Sequence, residues 1–236
     1  MVGFKESAIL STFLLSSSHV AQAARSSLDR DSLAKQYFGN DVAWYRERIP
    51  FFESSDRNIT DVYYYRWQIF RAHQRDLGPQ GYITTEFIDD VGWQFFPSAW
   101  LDDATQFHFN EARWCRDRRF RVDHARFIYE GADFDVRHFS ENMAASVWGA
   151  YLVDGVHEDI VKLLDGMRRV YEAWDDHFDE SKGLYYIEPL LDATEYTIAS
   201  IDASCGVDGF GGGVSFRPTI NAVSILVGSD KASTKI

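Results

Sequence analysis

Asp159-Ile160-Val161-Lys162-Leu163-Leu164-Asp165-Gly166-Met167-Arg168-Arg169-Val170-Tyr171-Glu172-Ala173-Trp174 is the most regular stretch of this chain. Ile160, Leu163, Leu164, Met167, Val170, Tyr171 and Trp174 recur at i, i+3, i+4, i+7 spacing, and Lys162, Asp165, Arg168, Arg169 and Glu172 lie opposite them. That pattern predicts an amphipathic helix with one face toward a core. Just before it, Ser140 to Val153 predicts a second helix carrying Met143, Val147, Trp148 and Tyr151, closed by Asp154-Gly155. The connection Val153–Glu158 is short, which suits two antiparallel helices.

Further upstream, Ile59, Val62, Tyr63, Trp67, Phe70 and Leu77 also recur at near-helical spacing. Asn58 is the expected cap, with Asp61 three residues on, and Gly78-Pro79 the expected stop. Asp103–Cys115 and Val122–Tyr129 complete the predicted helices between residues 30 and 180. Other connections, Gly78–Leu101 and Gly183–Pro218, are too long for plain connectors. Ordered loops of such length in compact domains are usually functional. Helix hairpins with long loops gathered on one face are the plan of an (α/α) barrel. The expected fold class is therefore all-α, a partial (α/α)6 six-hairpin barrel forming the N-terminal half of the toroid. Phe216–Asn221 reads as the entry to another helix; with it six helices are counted, where a closed barrel needs about twelve, so the domain is expected to be cut short. Residues 222–236 are expected to form an irregular, disordered tail.

The first 23 residues read as a signal peptide. Lys5 precedes the apolar run Ala8–Leu15, and small residues follow to Ala21-Gln22-Ala23-Ala24, an n-region, h-region and cleavage site in order. The apolar run is too short to span a bilayer. Asn58-Ile59-Thr60 is an N-glycosylation sequon, consistent with a secreted, extracellular protein. Cys115 and Cys205 are a possible disulfide pair, and neither sits in a C-x-x-C motif, so no metal is expected. The formal charge of −12 and the lack of a basic stripe exclude nucleic acid as an expected partner. The run Arg113, Arg116, Arg118, Arg119 and Arg121 reads as a solvated face. No membrane partner or cofactor is expected, and oligomeric state is left open.

Aromatic residues make up 16% of the chain, which fits both a ring-filled core and a sugar cleft. Flat ring faces stack on pyranose C–H groups, while Tyr and Trp edges stay polar. Glycosidic hydrolysis needs two carboxyl groups, one to protonate the leaving oxygen and one to activate water or attack the anomeric carbon. Glu188, Asp192 and Glu195 lie together in Gly183–Thr197, an apolar and aromatic loop segment. Such surroundings and like-charged neighbours raise a carboxyl pKa, as a general acid requires. By residue type alone, the same acids also suit a solvated loop.

Asp175–Tyr185, then Glu188–Glu195, then Phe216-Arg217-Pro218-Thr219-Ile220-Asn221 resemble the middle of the mannosylglycerate-hydrolase-like glycoside hydrolases. These are six-hairpin (α/α)6 glycosidases related to GH63 and trehalase-type enzymes. Tyr63–Trp67, Gly81–Phe87 and Phe107–Asp117 resemble the opening of the same domain, and the likeness runs over residues 35–221. It implies a catalytic domain over 30–221, a carbohydrate substrate and an inverting mechanism with Asp192 as general acid. Glu195 is a rival for the acid role. Glu86, Trp93, His108, Glu111, Trp114 and Glu188 are the expected sugar contacts, with His108 and Glu111 at i, i+3 on one helix face. The family's Glu-Ser-Gly-x-Asp stands here as Glu188-Pro189-Leu190-Leu191-Asp192, and its Asn-Ser as Asn221-Ala222. No residue maps to its second catalytic carboxylate. Two other readings remain open at this point. One is an incomplete fragment that at most binds glycan. The other is a polysaccharide lyase using Tyr and His, with Tyr185-Tyr186 as its loop.

Overall fold

A computed structural model describes residues 28–89, 104–131, 143–187 and 214–227. Eight α-helices occur among the described residues: α1 (Arg30–Phe38), α2 (Val42–Arg48), α3 (Arg57–Ala72), α4 (Thr105–Ala112), α5 (Arg119–Glu130), α6 (Met143–Asp154), α7 (His157–Glu172) and α8 (Pro218–Val227). Two small antiparallel hairpins interrupt them, β1 (Gln74–Asp76) with β2 (Tyr82–Thr84) and β3 (Phe178–Asp179) with β4 (Leu184–Tyr185). The fold is all-α with short β-hairpin connections, as a partial six-hairpin barrel requires.

Local chemistry sets the ends of the helices. The Asp29 carboxylate accepts from the Ser32 N–H at 3.0 Å and starts α1. For α3 the cap is Asp56, which accepts from the Asn58 N–H at 2.9 Å. The sequence pattern put that cap two residues too late, because Asp and Asn are equally good caps. The same helix ends at Ala72, before the expected stop, because residues 74–84 fold back as the β1–β2 hairpin. Gly155 turns the chain from α6 into α7 at φ +70°, a conformation that glycine adopts without steric cost.

Two larger cores result. The first joins Leu33, Phe38, Tyr45, Tyr64, Trp67, Phe70 and Phe120 from α1, α2, α3 and α5. The second joins Ile83, Phe109, Ile128, Tyr129, Met143, Val147 and Leu163 from β2, α4, α5, α6 and α7. Not every expected apolar position is inside. On α3 the buried face is Thr60, Tyr64, Trp67 and Phe70, while Ile59 and Val62 are exposed. Trp148 and Leu164 are also exposed. Helices such as α3 and α6 carry apolar residues on more than one side, so there periodicity alone does not say which side meets the core.

The arginine-rich segment also differs from its expected solvated face. Arg121 is 3% exposed and pairs with Asp154, which Arg118 also contacts at 3.1 Å. Arg118 pairs with Asp159 as well, so these residues tie α5 to both ends of the α6–α7 turn. Cys115 is a free, buried thiol that donates to the Arg48 carbonyl at 3.4 Å. Cys205, its possible partner in the sequence, lies outside the described residues. Burial pushes the Cys115 thiol up to about 11. Residues 222–227 are helical, as the end of α8, where the sequence reading has an irregular tail.

Candidate active site

The two stems that flank the acidic segment are joined to each other. Ile187 and Ser215 exchange backbone hydrogen bonds, each N–H donating to the other's carbonyl at 3.0 Å. One residue pair further out, the Asn221 side chain reaches from α8 to β4. Its Oδ1 accepts from the Tyr185 N–H, and its Nδ2 donates to the Tyr185 carbonyl, both at 2.9 Å. Nδ2 also donates to the Arg217 carbonyl at 2.8 Å. The amide thus imitates a strand partner and joins the chain on both sides of the segment. Trp174, Tyr185, Ile187 and Ile220 form a small core beneath this junction. Glu188, Asp192 and Glu195 lie outside the described residues, between the two stems.

The tyrosines of this hairpin are occupied elsewhere. The Tyr185 hydroxyl meets the Tyr171 hydroxyl at 3.3 Å, and burial followed by that contact holds its pKa far above the ordinary value. The Tyr186 hydroxyl donates to the Asp176 carbonyl at 2.9 Å. A phenol held protonated in a core is a poor proton acceptor, which counts against Tyr185 as the base of a lyase.

The second element is a cleft between the segment Pro50–Phe52, α3 and α4. It encloses about 460 Å³ and is lined mainly by Phe51, Phe52, Tyr63, Trp67 and Trp114, with Arg66 and Glu111 as its charged groups. Its wall is strapped in place. The Tyr63 hydroxyl donates to the Pro50 carbonyl at 2.5 Å. The Tyr64 hydroxyl donates to the Phe52 carbonyl at 2.8 Å and accepts from the Phe52 N–H at 3.2 Å. Arg66 and Glu111 form an ion pair across the cleft. The sequence reading grouped Glu111 with His108; the structure instead pairs Glu111 with a residue 45 positions earlier.

His108 lies within electrostatic reach of other positive groups. It is influenced by His73 and Arg66, while the fully buried His124 of α5 is influenced by His108. Burial, then the neighbouring positive groups, lowers His108 to about 4. Burial, then His108, lowers His124 to about 3. Both rings are neutral at physiological pH. His73 faces Thr85 from the end of α3, its Nδ1 lying 2.8 Å from the Thr85 carbonyl while its own carbonyl accepts from the Thr85 N–H at 2.9 Å. This fixes the backbone just ahead of half-buried Glu86. Trp93 lies outside the described residues. Sequence reasoning missed Arg66 and the straps from Tyr63 and Tyr64, although Tyr63–Trp67 was a recognised motif.

Another cavity, of about 540 Å³, opens between α5, α6 and α7. Of its charged groups, Arg121, Asp154 and Asp159 are engaged in the ion pairs above and Arg126 pairs with Glu130, while Lys162 also lines it. Among the described residues no three His, Cys, Asp or Glu side chains are placed to hold a metal ion. No described helix is long and apolar enough to cross a membrane.

Helix hairpins, an aromatic cleft and an acid-bearing segment between joined stems define a glycosidase-type helical domain. The chain belongs to the mannosylglycerate hydrolase MGH1-like glycoside hydrolase domain family, whose model matches residues 96–233. A solved structure described as a sialidase superposes with a TM-score of 0.67 at 25% identity. The alignment covers 89% of this chain and 22% of that one, so the chain spans under a quarter of that relative. No curated protein matches.

Proposed function

We propose that this domain hydrolyses O-glycosidic bonds by inversion, with Asp192 as general acid. The observation that supports the reading most is the joining of the acid segment's stems at Ile187–Ser215 and Tyr185–Asn221. An acid must be held against the leaving oxygen to within a fraction of an ångström, and a segment tied at its base meets the first condition for that. In the proposed reaction Asp192 gives its proton to the glycosidic oxygen as the C–O bond breaks. A second carboxylate, roughly 6.5–9.5 Å away, takes a proton from the water attacking the opposite face. Glu188 and Glu195 would raise the Asp192 pKa by like-charge repulsion. Glu86, Trp93, His108, Glu111 and Trp114 would contact the sugar, with residues 30–221 as the catalytic domain.

The localisation belongs to the same proposal. The chain is secreted after cleavage near Ala23 and carries glycan on Asn58, whose side chain is exposed at the first turn of α3. Mass spectrometry of secreted protein, with and without glycosidase treatment, tests both points.

The decisive test of the hydrolase reading is Asp192→Asn. Turnover of alkyl glycosides, whose leaving oxygen needs a proton, should be abolished in this variant while ligand binding is retained, and in the unmodified chain NMR should show the product anomer opposite to the substrate. Turnover that survives in Asp192→Asn would exclude Asp192 as the acid.

A further inference from the structure

We infer that the α3–α4 cleft selects uncharged pyranosides over sugar acids, because its arginine is already neutralised by Glu111. This rests on the carbohydrate reading of the same cleft. Among the described residues, Arg66 and Glu111 are the only charged groups in the lining, and they are paired with each other. An anionic sugar would have to compete with Glu111 for the guanidinium and would meet the carboxylate at close range. That costs binding energy unless the pair separates. A neutral sugar has no such conflict. Adjacent hydroxyls accept from the arginine N–H groups and donate to the glutamate oxygens, so the pair is used as it stands.

The rest of the lining fits a pyranose ring. Trp114 is half exposed and belongs to the cleft. Arg113 covers one face of its indole at 5.1 Å. That guanidinium extends toward α6, where its Nη1 would stand 2.9 Å from a Cβ on Gly149. Arg113 is absent from the cleft lining, so the other indole face is the one offered to a ligand. The hydroxyls of Tyr63 and Tyr64 are spent on the strap, which leaves the wall apolar. A cavity of about 460 Å³ lies in the size range of small-molecule sites.

The test is titration of the full chain with methyl mannoside and methyl glucoside, and with glucuronate and N-acetylneuraminate, followed by NMR and tryptophan fluorescence. Neutral glycosides should bind and sugar acids should bind at least tenfold more weakly. Trp114→Ala should weaken neutral-sugar binding by about tenfold, and Trp114→Phe should restore most of it. Glu111→Gln frees the Arg66 charge, so it should raise affinity for glucuronate relative to methyl glucoside. A merely structural role for Glu111 would weaken both alike. Circular dichroism confirms that each variant is folded. Tighter binding of sugar acids by the unmodified chain would overturn the inference while leaving the hydrolase reading to the Asp192 test. Binding of either class that is unchanged by Trp114→Ala would overturn the assignment to this cleft.

Discussion

Gly166 of α7 lies so close to Tyr129 of α5 that a Cβ at position 166 would stand 2.3 Å from the Tyr129 carbonyl oxygen. One turn further on, the Arg169 guanidinium donates to that same carbonyl at 2.5 Å. The missing side chain is what lets two helix backbones touch, and Arg169 then satisfies the oxygen exposed by the contact. Ordinarily alanine is better than glycine within a helix, by about 1 kcal/mol. Here Gly166→Ala should destabilise by about 1–3 kcal/mol, because the obstructing atoms are backbone. Urea denaturation followed by circular dichroism measures it. A gain in stability would show that α5 and α7 stand further apart.

The buried histidines set a pH dependence of stability. Both have folded-state values below the ordinary 6.5, at about 4 for His108 and about 3 for His124. The unfolded chain therefore takes up protons below pH 6.5 that the folded chain refuses, and the stabilisation present above pH 6.5 is lost as pH falls. Between pH 6.5 and 5, before most carboxylates titrate, the two together should cost roughly 3 kcal/mol. The double variant His108→Gln/His124→Gln should flatten that part of the profile. Thermal melts at half-unit pH steps check the slope, and an unchanged slope in the variant would refute the assignment.

The free thiol makes a separate prediction. In a Cys205→Ser background, Cys115 should resist a thiol reagent until the chain unfolds, because it is buried and its pKa is raised to about 11. Rapid labelling of the native protein would contradict its placement at the α2–α4 contact.

Asn221→Ala removes both contacts to Tyr185 and the one to Arg217. Stability should fall by about 1–3 kcal/mol. More specifically, the Tyr185 amide should lose hydrogen-exchange protection, while amides in α3 keep theirs. Equal loss in both places would mean general destabilisation and not release of the stem.

The helices were legible in the sequence where one apolar face dominates. The α7 stripe from Ile160 to Trp174 and the Asp154-Gly155 turn foretold a helix hairpin, and the structure has one. What sequence spacing did not carry was which distant residues meet. Arg66 with Glu111, Arg121 with Asp154, and His108 with His124 are pairings between elements, set by how the helices lie on one another. The charge run around Arg118 looked solvated because the partners of Arg118 and Arg121, Asp154 and Asp159, are more than thirty positions away. Asn221 was visible as a motif position, but its task was not, since its contacts are with backbone atoms on another strand. Family likeness pointed to Asp192, and residue chemistry made that reading physically sensible.

Joining the stems at Ile187 and Ser215 has a consequence for how such a domain diversifies. Once the ends are tied to each other, the scaffold no longer senses how many residues run between them. Doubling the intervening length adds only about 0.6 kcal/mol of closure entropy. The acid-bearing segment is in this sense a cassette. Residues between the stems can be replaced or added while the Ile187–Ser215 pair and Asn221 keep the stems joined.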